Sequence, residues 1–163
     1  MKPSIYVSTY AKCNSGNLFG EWVNLTQFSD IDEFYGYCKE LHKDEDEPEL
    51  MFQDYEGFPE GYVSESYLNP AIFDVLEELN PSEYEDFCHF VSHFSSDSTV
   101  EDFRDKFIGH YDNEEDFAYE LMEQSTDKGV PDFYLQYFDY QAFARDLFLD
   151  GYAFISGVVY HEY

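Results

Sequence analysis

Two hydrophobic patterns follow one another along the first part of the chain. The segment SIYVSTYAKCNSGNLFGEWVNL is rich in β-branched and aromatic residues on both sides of Asn14-Ser15-Gly16-Asn17, which predicts a hairpin of two strands around that turn. Ser29, with Asp32 three residues on, indicates a helix start. The apolar residues that follow recur at helical spacing: Ile31, Phe34, Tyr35, Cys38 and Leu41.

The middle of the chain predicts a loop, a strand and then helices. The acidic run at 44–47 ends in Pro48 and indicates a loop, and ELMFQDY after it indicates a strand. Asn69-Pro70 and Asn80-Pro81 each place Asn at a helix N-cap and Pro at the first helical position. Ser98-Thr99 indicates a third helix start.

The last part of the chain returns to a mixture of strands and helices. We expect a short strand at 107–111, a helix from near Asn113, a helix capped by Asp139, and a closing hairpin about Gly157. The pattern predicts an α+β fold of three small subdomains. Their ranges are 1–61 (hairpin, helix and strand), 62–106 (helical) and 107–163 (α+β).

Charge adds what the hydrophobic pattern does not show. The 163 residues contain 36 Asp and Glu but 8 Lys and Arg, for a net charge of −28. Such acidity is typical of disordered chains, but those have few aromatics, whereas 21% of this chain is Phe, Trp or Tyr. We therefore expect it to fold. The negative sign disfavours binding to nucleic acid or anionic membranes and favours a basic partner.

The sequence offers little for catalysis or metal binding. It contains no phosphate loop, nucleophile elbow or HExxH motif. His89 and His93 have a spacing that can serve zinc, but Phe87, Phe90 and Phe94 around them indicate a packed aromatic helix. Cys13, Cys38 and Cys88 lack CxxC spacing and are expected to be reduced thiols. We predict no catalytic residue, metal or cofactor.

Carboxylates on helices can imitate the phosphates of DNA. Duplex DNA presents one negative charge per about 1.7 Å of axis, and side chains three or four apart on a helix lie about 5–6 Å apart. A groove lined with Lys and Arg is the natural partner for such a surface. The predicted mimic surface comprises Asp30, Asp32, Glu33, Glu40, Asp44, Glu45, Asp46, Glu47, Asp112, Glu114, Glu115, Asp116, Glu120 and Glu123.

Four segments, in matching order, resemble a known family over nearly the full chain. They are IYVSTYAKCNSGNLFGEWVNL with its Gly20-x-Trp22, SHFSS at 92–96, GHYDNEEDFAYEL at 109–121 and YFDYQAFARDLFLDGYAF at 137–154. Together they are similar to the ArdA antirestriction proteins. The segments KDEDEPEL and ISGVVYHEY depart from the family pattern.

The resemblance implies both a shape and a target. It implies an elongated homodimer, shaped and charged like bent B-form DNA, that is carried by mobile genetic elements. In the cytoplasm of the bacterial host, such a protein blocks the specificity and methyltransferase subunits of type I restriction-modification enzymes. The carboxy-terminal subdomain would form the dimer, and we place Phe107 and Ile108 at the interface.

Three other interpretations stay open at the level of sequence. The chain could be an acidic metal-binding or hydrolytic protein, which stoichiometric metal or turnover on phosphoesters would indicate. It could mimic DNA for another DNA-binding protein. Halophilic adaptation would also produce an acidic surface, although the aromatic content argues against it.

Overall fold

Two compact units make up the chain in a computed structural model that describes residues 2–125 and 131–163. The units are Met1–Val100 and Glu101–Tyr163. Both combine helices with small antiparallel sheets, so the α+β prediction is confirmed. The division of the first unit near residue 61 stays a prediction.

The N-terminal unit contains five strands, four α-helices and a short 3₁₀ helix among the described residues. In chain order these are β1 (Ser4–Thr9), α1 (Tyr10–Asn14), β2 (Glu21–Asn24), the 3₁₀ helix Leu25–Gln27, α2 (Ile31–Leu41), β3 (Leu50–Glu56), β4 (Val63–Ser64), β5 (Tyr67–Leu68), α3 (Ala71–Glu78) and α4 (Pro81–His93), with α5 (Val100–Lys106) starting at the unit boundary.

The first sheet has β1 in its centre, flanked by β2 and β3, and all pairs are antiparallel. The predicted pairing of the first two strands is confirmed, with Ile5 opposite Val23. The simple hairpin is wrong, because α1 occupies the connection. Thr9 starts this helix by accepting a hydrogen bond from the Lys12 amide, which a turn signal at 14–17 does not reveal.

Helix α2 covers the sheet with the apolar stripe predicted from its spacing. Phe34 and Cys38 are fully buried, and the Phe34 ring lies 6.0 Å from that of Phe52 on β3. The predicted start at Ser29 is wrong by one residue. Asp30 is the N-cap, because its carboxylate accepts the amide of Glu33, whose own side chain accepts the amide of Ser29.

The middle helices begin close to their predicted starts. Asn80 is the N-cap of α4 and Pro81 occupies its first turn, as predicted, and Asn80 also forms a capping box with Glu83. For α3 the N-cap residue is Pro70 instead of Asn69, although the Asn69 side chain still accepts the Ala71 amide. The two-stranded pair β4 and β5 was not predicted, since its strands are two residues each.

The C-terminal unit closes with a three-stranded antiparallel sheet. Its elements after α5 are β6 (Phe107–His110), α6 (Glu114–Ser125), α7 (Asp132–Leu135), α8 (Tyr140–Asp150), β7 (Tyr152–Ile155) and β8 (Val158–His161). The strand order is β6-β8-β7, so β6 lies at an edge. Helices α6 and α8 pack on each other and α8 packs on β7. Short α7 was not predicted.

The closing hairpin follows its sequence signal. Ser156 and Gly157 have φ values of 51° and 88°, and Ile155 lies opposite Val158, as in a two-residue turn with positive φ at both positions. Val158, Val159 and Tyr160 of β8 are buried. They form the unit's core with Phe103, Phe117, Ala118, Ala144 and Ala153.

Candidate functional site: the exposed carboxylates

The acidic side chains of the described residues point outward. Of the Asp and Glu residues whose side chains the structure describes, none is buried, and Glu45, Glu83 and Asp86 alone are half-buried. Thirteen of the fourteen residues predicted for the mimic surface are exposed, the exception being Glu45. These acids are therefore accessible to solvent and to any molecule that approaches the surface.

Helix α6 carries the densest set of the predicted acids. Phe117 and Ala118 anchor one side of the helix in the core, while the acids at 114, 115, 116, 120 and 123 are exposed. A helix of 12 residues is about 18 Å long. Five charges over that length give about one per 3.6 Å, close to the spacing of about 3.4 Å along one DNA strand.

Neutral groups hold several of these carboxylates in place. On α6 the side chain of Asn113 donates to Asp116 at 2.9 Å and that of Gln124 donates to Glu120 at 2.8 Å. The Tyr119 hydroxyl donates to Glu123 at 2.9 Å. A neutral donor orients a carboxylate without cancelling its charge, which explains why aromatics and amides alternate with acids here.

The same arrangement recurs in the N-terminal unit. The Tyr37 hydroxyl donates to Oε1 of Glu21 at 2.8 Å, and this hydrogen bond is the main reason that the pKa of Tyr37 is raised. Tyr37 is 40% exposed, so the pair lies at the surface. No local sequence pattern indicates Glu21, because its partner Tyr37 is 16 residues away.

The predicted acids between residues 30 and 47 differ in what their side chains contact. Asp30 and Glu33 cap the start of α2, so part of their charge serves the helix. Glu40 pairs with Lys43 at 2.6 Å, with both side chains about 70% exposed. Such an exposed pair contributes little to stability. Asp32, Asp46 and Glu47 are exposed.

Asp44 and Glu45 are held by a buried lysine. Lys12 is 6% exposed, and its Nζ lies 2.8 Å from Oδ1 of Asp44 and 3.4 Å from Oε1 of Glu45. Nζ also lies 2.9 Å from Nδ1 of His42, which is fully buried. No sequence motif indicates this contact, because Lys12 and His42 are 30 residues apart in the chain.

The ionisation of this cluster follows from its contacts. Burial alone would lower the pKa of Lys12, but the hydrogen bonds with Asp44 and Glu45 outweigh burial and raise the pKa overall. The ammonium can only donate, so Nδ1 of His42 is the acceptor and its ring is neutral. Burial and the charge of Lys12 lower the pKa of His42.

The family match agrees with the exposed acids. The sequence model described as Antirestriction protein (ArdA) matches residues 5–161. The chain belongs to the ArdA antirestriction family. A comparison with curated proteins gave no match.

Metal chemistry finds no site in the described part of this ArdA-family chain. Across residues 2–125 and 131–163 no group of three or more His, Cys, Asp or Glu is arranged to hold a metal ion. His93 is exposed and its ring contacts Phe94 at 4.9 Å, and His89 is half-buried.

Among the described helices, none combines the length and apolar character required to cross a bilayer.

The two residues predicted for the ArdA dimer interface lie on the edge strand β6. Both are half-buried. The ring of Phe107 contacts those of Phe103 and Tyr160 in its own chain, at 5.7 and 6.1 Å. Ile108 lines a separate cavity of about 310 Å³ with Tyr111 and Phe117. Phe107 therefore has a core role in the monomer.

Proposed function

We propose that this ArdA-family protein inhibits type I restriction-modification enzymes by occupying their DNA-binding groove. Its exposed carboxylates take the place of DNA phosphates against the Lys and Arg side chains of the specificity and methyltransferase subunits. The observation that carries the proposal is that no described Asp or Glu is buried. Antirestriction activity itself follows from the family.

Charge density and orientation support mimicry over a merely acidic surface. The average number of charges per unit length on α6 is close to that of one DNA strand. Neutral donors fix Asp116, Glu120 and Glu123. Fixing a side chain before binding reduces the entropy lost in the complex. The inhibition we propose needs no catalytic residue and no cofactor.

We also propose that the protein acts as a homodimer in the cytoplasm of a bacterium that has received a mobile genetic element. Pairing through β6 would extend the C-terminal sheet across two chains, because an edge strand leaves one row of backbone groups unpaired. A dimer doubles the anionic surface that faces the enzyme.

A competition assay tests the proposal. A purified type I enzyme is bound to labelled target DNA, and graded amounts of the protein are added between about 50 and 200 mM salt. We expect displacement that more DNA overcomes, with an affinity that falls steeply as salt rises. Non-competitive or salt-insensitive inhibition would contradict mimicry. Displacement of unrelated DNA-binding proteins at equal concentrations would instead indicate a broader target.

A matched pair of variants assigns the effect to α6. The first carries Glu114→Gln, Glu115→Gln, Asp116→Asn, Glu120→Gln and Glu123→Gln. The control exchanges Asp and Glu at the same five positions and preserves the charge. We expect the neutral variant to bind at least about tenfold more weakly and its salt slope to fall by about four, since each charge contact contributes about 0.9. The control should retain most of the affinity.

Single substitutions within this set should have small effects. Many weak contacts share the binding free energy, so one neutralised acid is expected to change the affinity by less than about threefold. Complete loss of inhibition from any one of them would contradict a distributed surface. Circular dichroism of each variant verifies that the helix content is unchanged.

A further inference from the structure

The Lys12 ammonium is enclosed by three acceptors. They are Nδ1 of His42 at 2.9 Å, Oδ1 of Asp44 at 2.8 Å and Oε1 of Glu45 at 3.4 Å. An ammonium has three donors, as many as there are acceptors around Nζ, and the shortest contacts are those with Asp44 and His42. The ring of Phe19 lies 5.0 Å from Nζ on a further side. Among the buried side chains of the described residues, Lys12 is the one with a formal charge.

Burying a charge is costly unless it is paired and hydrogen-bonded. A cation with exposed acids all around it does not need burial to find a partner, as the exposed pair of Lys43 and Glu40 demonstrates. The buried position of Lys12 therefore serves an arrangement that an exposed lysine could not hold. That arrangement involves the segment 42–47, which contains four of the predicted acids.

Other contacts attach the same segment to the sheet. The Thr9 hydroxyl at the end of β1 donates to Oε1 of Glu45 at 2.7 Å, and the Glu45 amide donates to the carbonyl of His42 at 3.0 Å. His42 itself is fully buried against Phe19, with ring centroids 5.8 Å apart. Asp44, Asp46 and Glu47 remain exposed above this anchor.

We propose that Lys12 is a positioning residue for the anionic surface. It anchors the segment 42–47 from beneath, so that its acids meet the Lys- and Arg-lined groove of the partner in a fixed arrangement. The inference rests on the proposed function and assigns this segment to the contacting surface. A buried lysine of an acidic inhibitor would thus contribute to binding the Lys- and Arg-lined groove of the enzyme.

Removing the Lys12 charge should weaken binding to the enzyme, although the protein becomes more negative. Lys39 on α2 is an exposed lysine outside this segment. Lys12→Met and Lys39→Met each remove one positive charge and make the protein equally more negative. If charge alone set the affinity, both variants would bind the enzyme as well as the parent or better. If Lys12 positions the segment, Lys12→Met weakens binding by about tenfold, because released side chains must be ordered again on binding. Lys39→Met keeps the parent affinity.

Hydrogen exchange of the full-length protein tests the anchor without the enzyme. We expect Lys12→Met to accelerate exchange at the Glu45 amide and across residues 43–47 by at least about tenfold. The sheet amides of Ile5 and Val23 should exchange as in the parent. If Lys12→Met does not fold, Asp44→Asn, which removes an exposed partner of the same ammonium, replaces it and should accelerate exchange in the same segment.

Hydrogen exchange tests whether Lys12 anchors the segment, and the inhibition assay tests whether the anchored segment contributes to binding. Unchanged exchange at residues 43–47 in a folded variant overturns the anchor. Faster exchange at residues 43–47 in Lys12→Met, together with inhibition equal to that of Lys39→Met, overturns the role in binding. Absence of competition by the parent protein overturns the proposed function, whatever the exchange result. Faster exchange together with a loss of inhibition specific to Lys12→Met supports the inference.

Discussion

The Tyr119 hydroxyl donates a hydrogen bond to Oε1 of Glu123 at 2.9 Å, one turn further along α6. Both residues are exposed, and the hydrogen bond is the largest cause of the raised pKa of Tyr119. The hydroxyl holds the carboxylate in one direction and leaves its charge intact. A lysine in the same place would hold it and neutralise it.

Removing that hydroxyl should weaken inhibition without changing the charge. We expect Tyr119→Phe to lower the affinity for a type I enzyme by about two- to threefold, because Glu123 regains rotamers that binding must fix. Titration of the DNA-displacement assay measures the change. Tyr137→Phe is the control, since Tyr137 is 74% exposed and its ring packs on Phe133. Equal effects of the two variants would argue against orientation by Tyr119.

Acidification should destabilise the N-terminal unit through His42. The pKa of this ring lies below its ordinary value of 6.5 because of burial and Lys12, so the unfolded chain takes up the proton more readily than the folded one. The free energy of unfolding is therefore highest above about pH 6.5 and falls as the pH drops below it. The charged groups that face the ring are Lys12 on α1 and Asp44 and Glu45 after α2.

His42→Asn isolates this contribution. The Asn side chain offers an oxygen to Lys12 and does not titrate near neutrality. Urea unfolding at about pH 7.5 and about pH 5.5 should show a smaller loss of stability for the variant than for the parent. Protonation of exposed carboxylates is common to both proteins. If the parent and His42→Asn lost equal stability between the two pH values, His42 would not be the origin of the pH dependence.

Gly20 is required by the close approach of Tyr6. A Cβ at this position would lie 2.6 Å from Cε1 of Tyr6 and 2.8 Å from the Val7 carbonyl oxygen. The Tyr6 ring has little room to move, because its hydroxyl bonds the Leu18 carbonyl and its edge meets Trp22. We expect Gly20→Ala to lower the free energy of unfolding by about 1–3 kcal/mol.

Fluorescence of the single Trp, Trp22, follows this unfolding in urea. Gly36→Ala is the matched control, since Gly36 lies inside α2 and nothing is within 4 Å of an added Cβ. That variant should gain about 0.5–1 kcal/mol from the higher helix propensity of Ala. Equal destabilisation by both changes would contradict a specific clash at Gly20.

The three thiols should differ sharply in reactivity. Burial raises the pKa of Cys38 to about 12 and that of Cys88 to about 11, whereas Cys13 is half-buried. Because the thiolate is the reactive form, a thiol reagent added to the native protein should modify Cys13 first. Mass spectrometry identifies the labelled residue, and Cys13→Ser should abolish the fast phase. Rapid labelling of Cys38 without denaturant would contradict its packing.

A charge on the edge strand should test the dimer interface. We expect Ile108→Lys to produce monomers in size-exclusion chromatography with light scattering, because a charge is costly to bury between two strands. Ile108 is a better position than Phe107, whose ring contacts Phe103 and Tyr160 in the monomer. Leu149→Lys on α8 is the control, as Leu149 is 74% exposed. If Leu149→Lys produced monomers and Ile108→Lys did not, the interface would lie on α8 instead of β6.

The sequence by itself determined the features that depend on neighbouring residues. Asn80 and Pro81 signal a helix start, Gly157 a hairpin turn, and the stripe containing Phe34 and Cys38 a buried helix face, because each signal is complete within one or two turns of chain. The charge imbalance also needed no structure, since counting residues reveals it. From these came the α+β class, most element positions and the candidate acids.

Only the tertiary structure decided which residues hold those acids in place. Lys12 and His42 are 30 residues apart, and Tyr37 and Glu21 are 16 apart, so no local pattern joins them. The residues next to Lys12 in the sequence do not indicate that it is buried. Folding of α1 and α2 against the sheet buries it, and burial obliges the ammonium to find three acceptors, which fixes the acidic segment beside it.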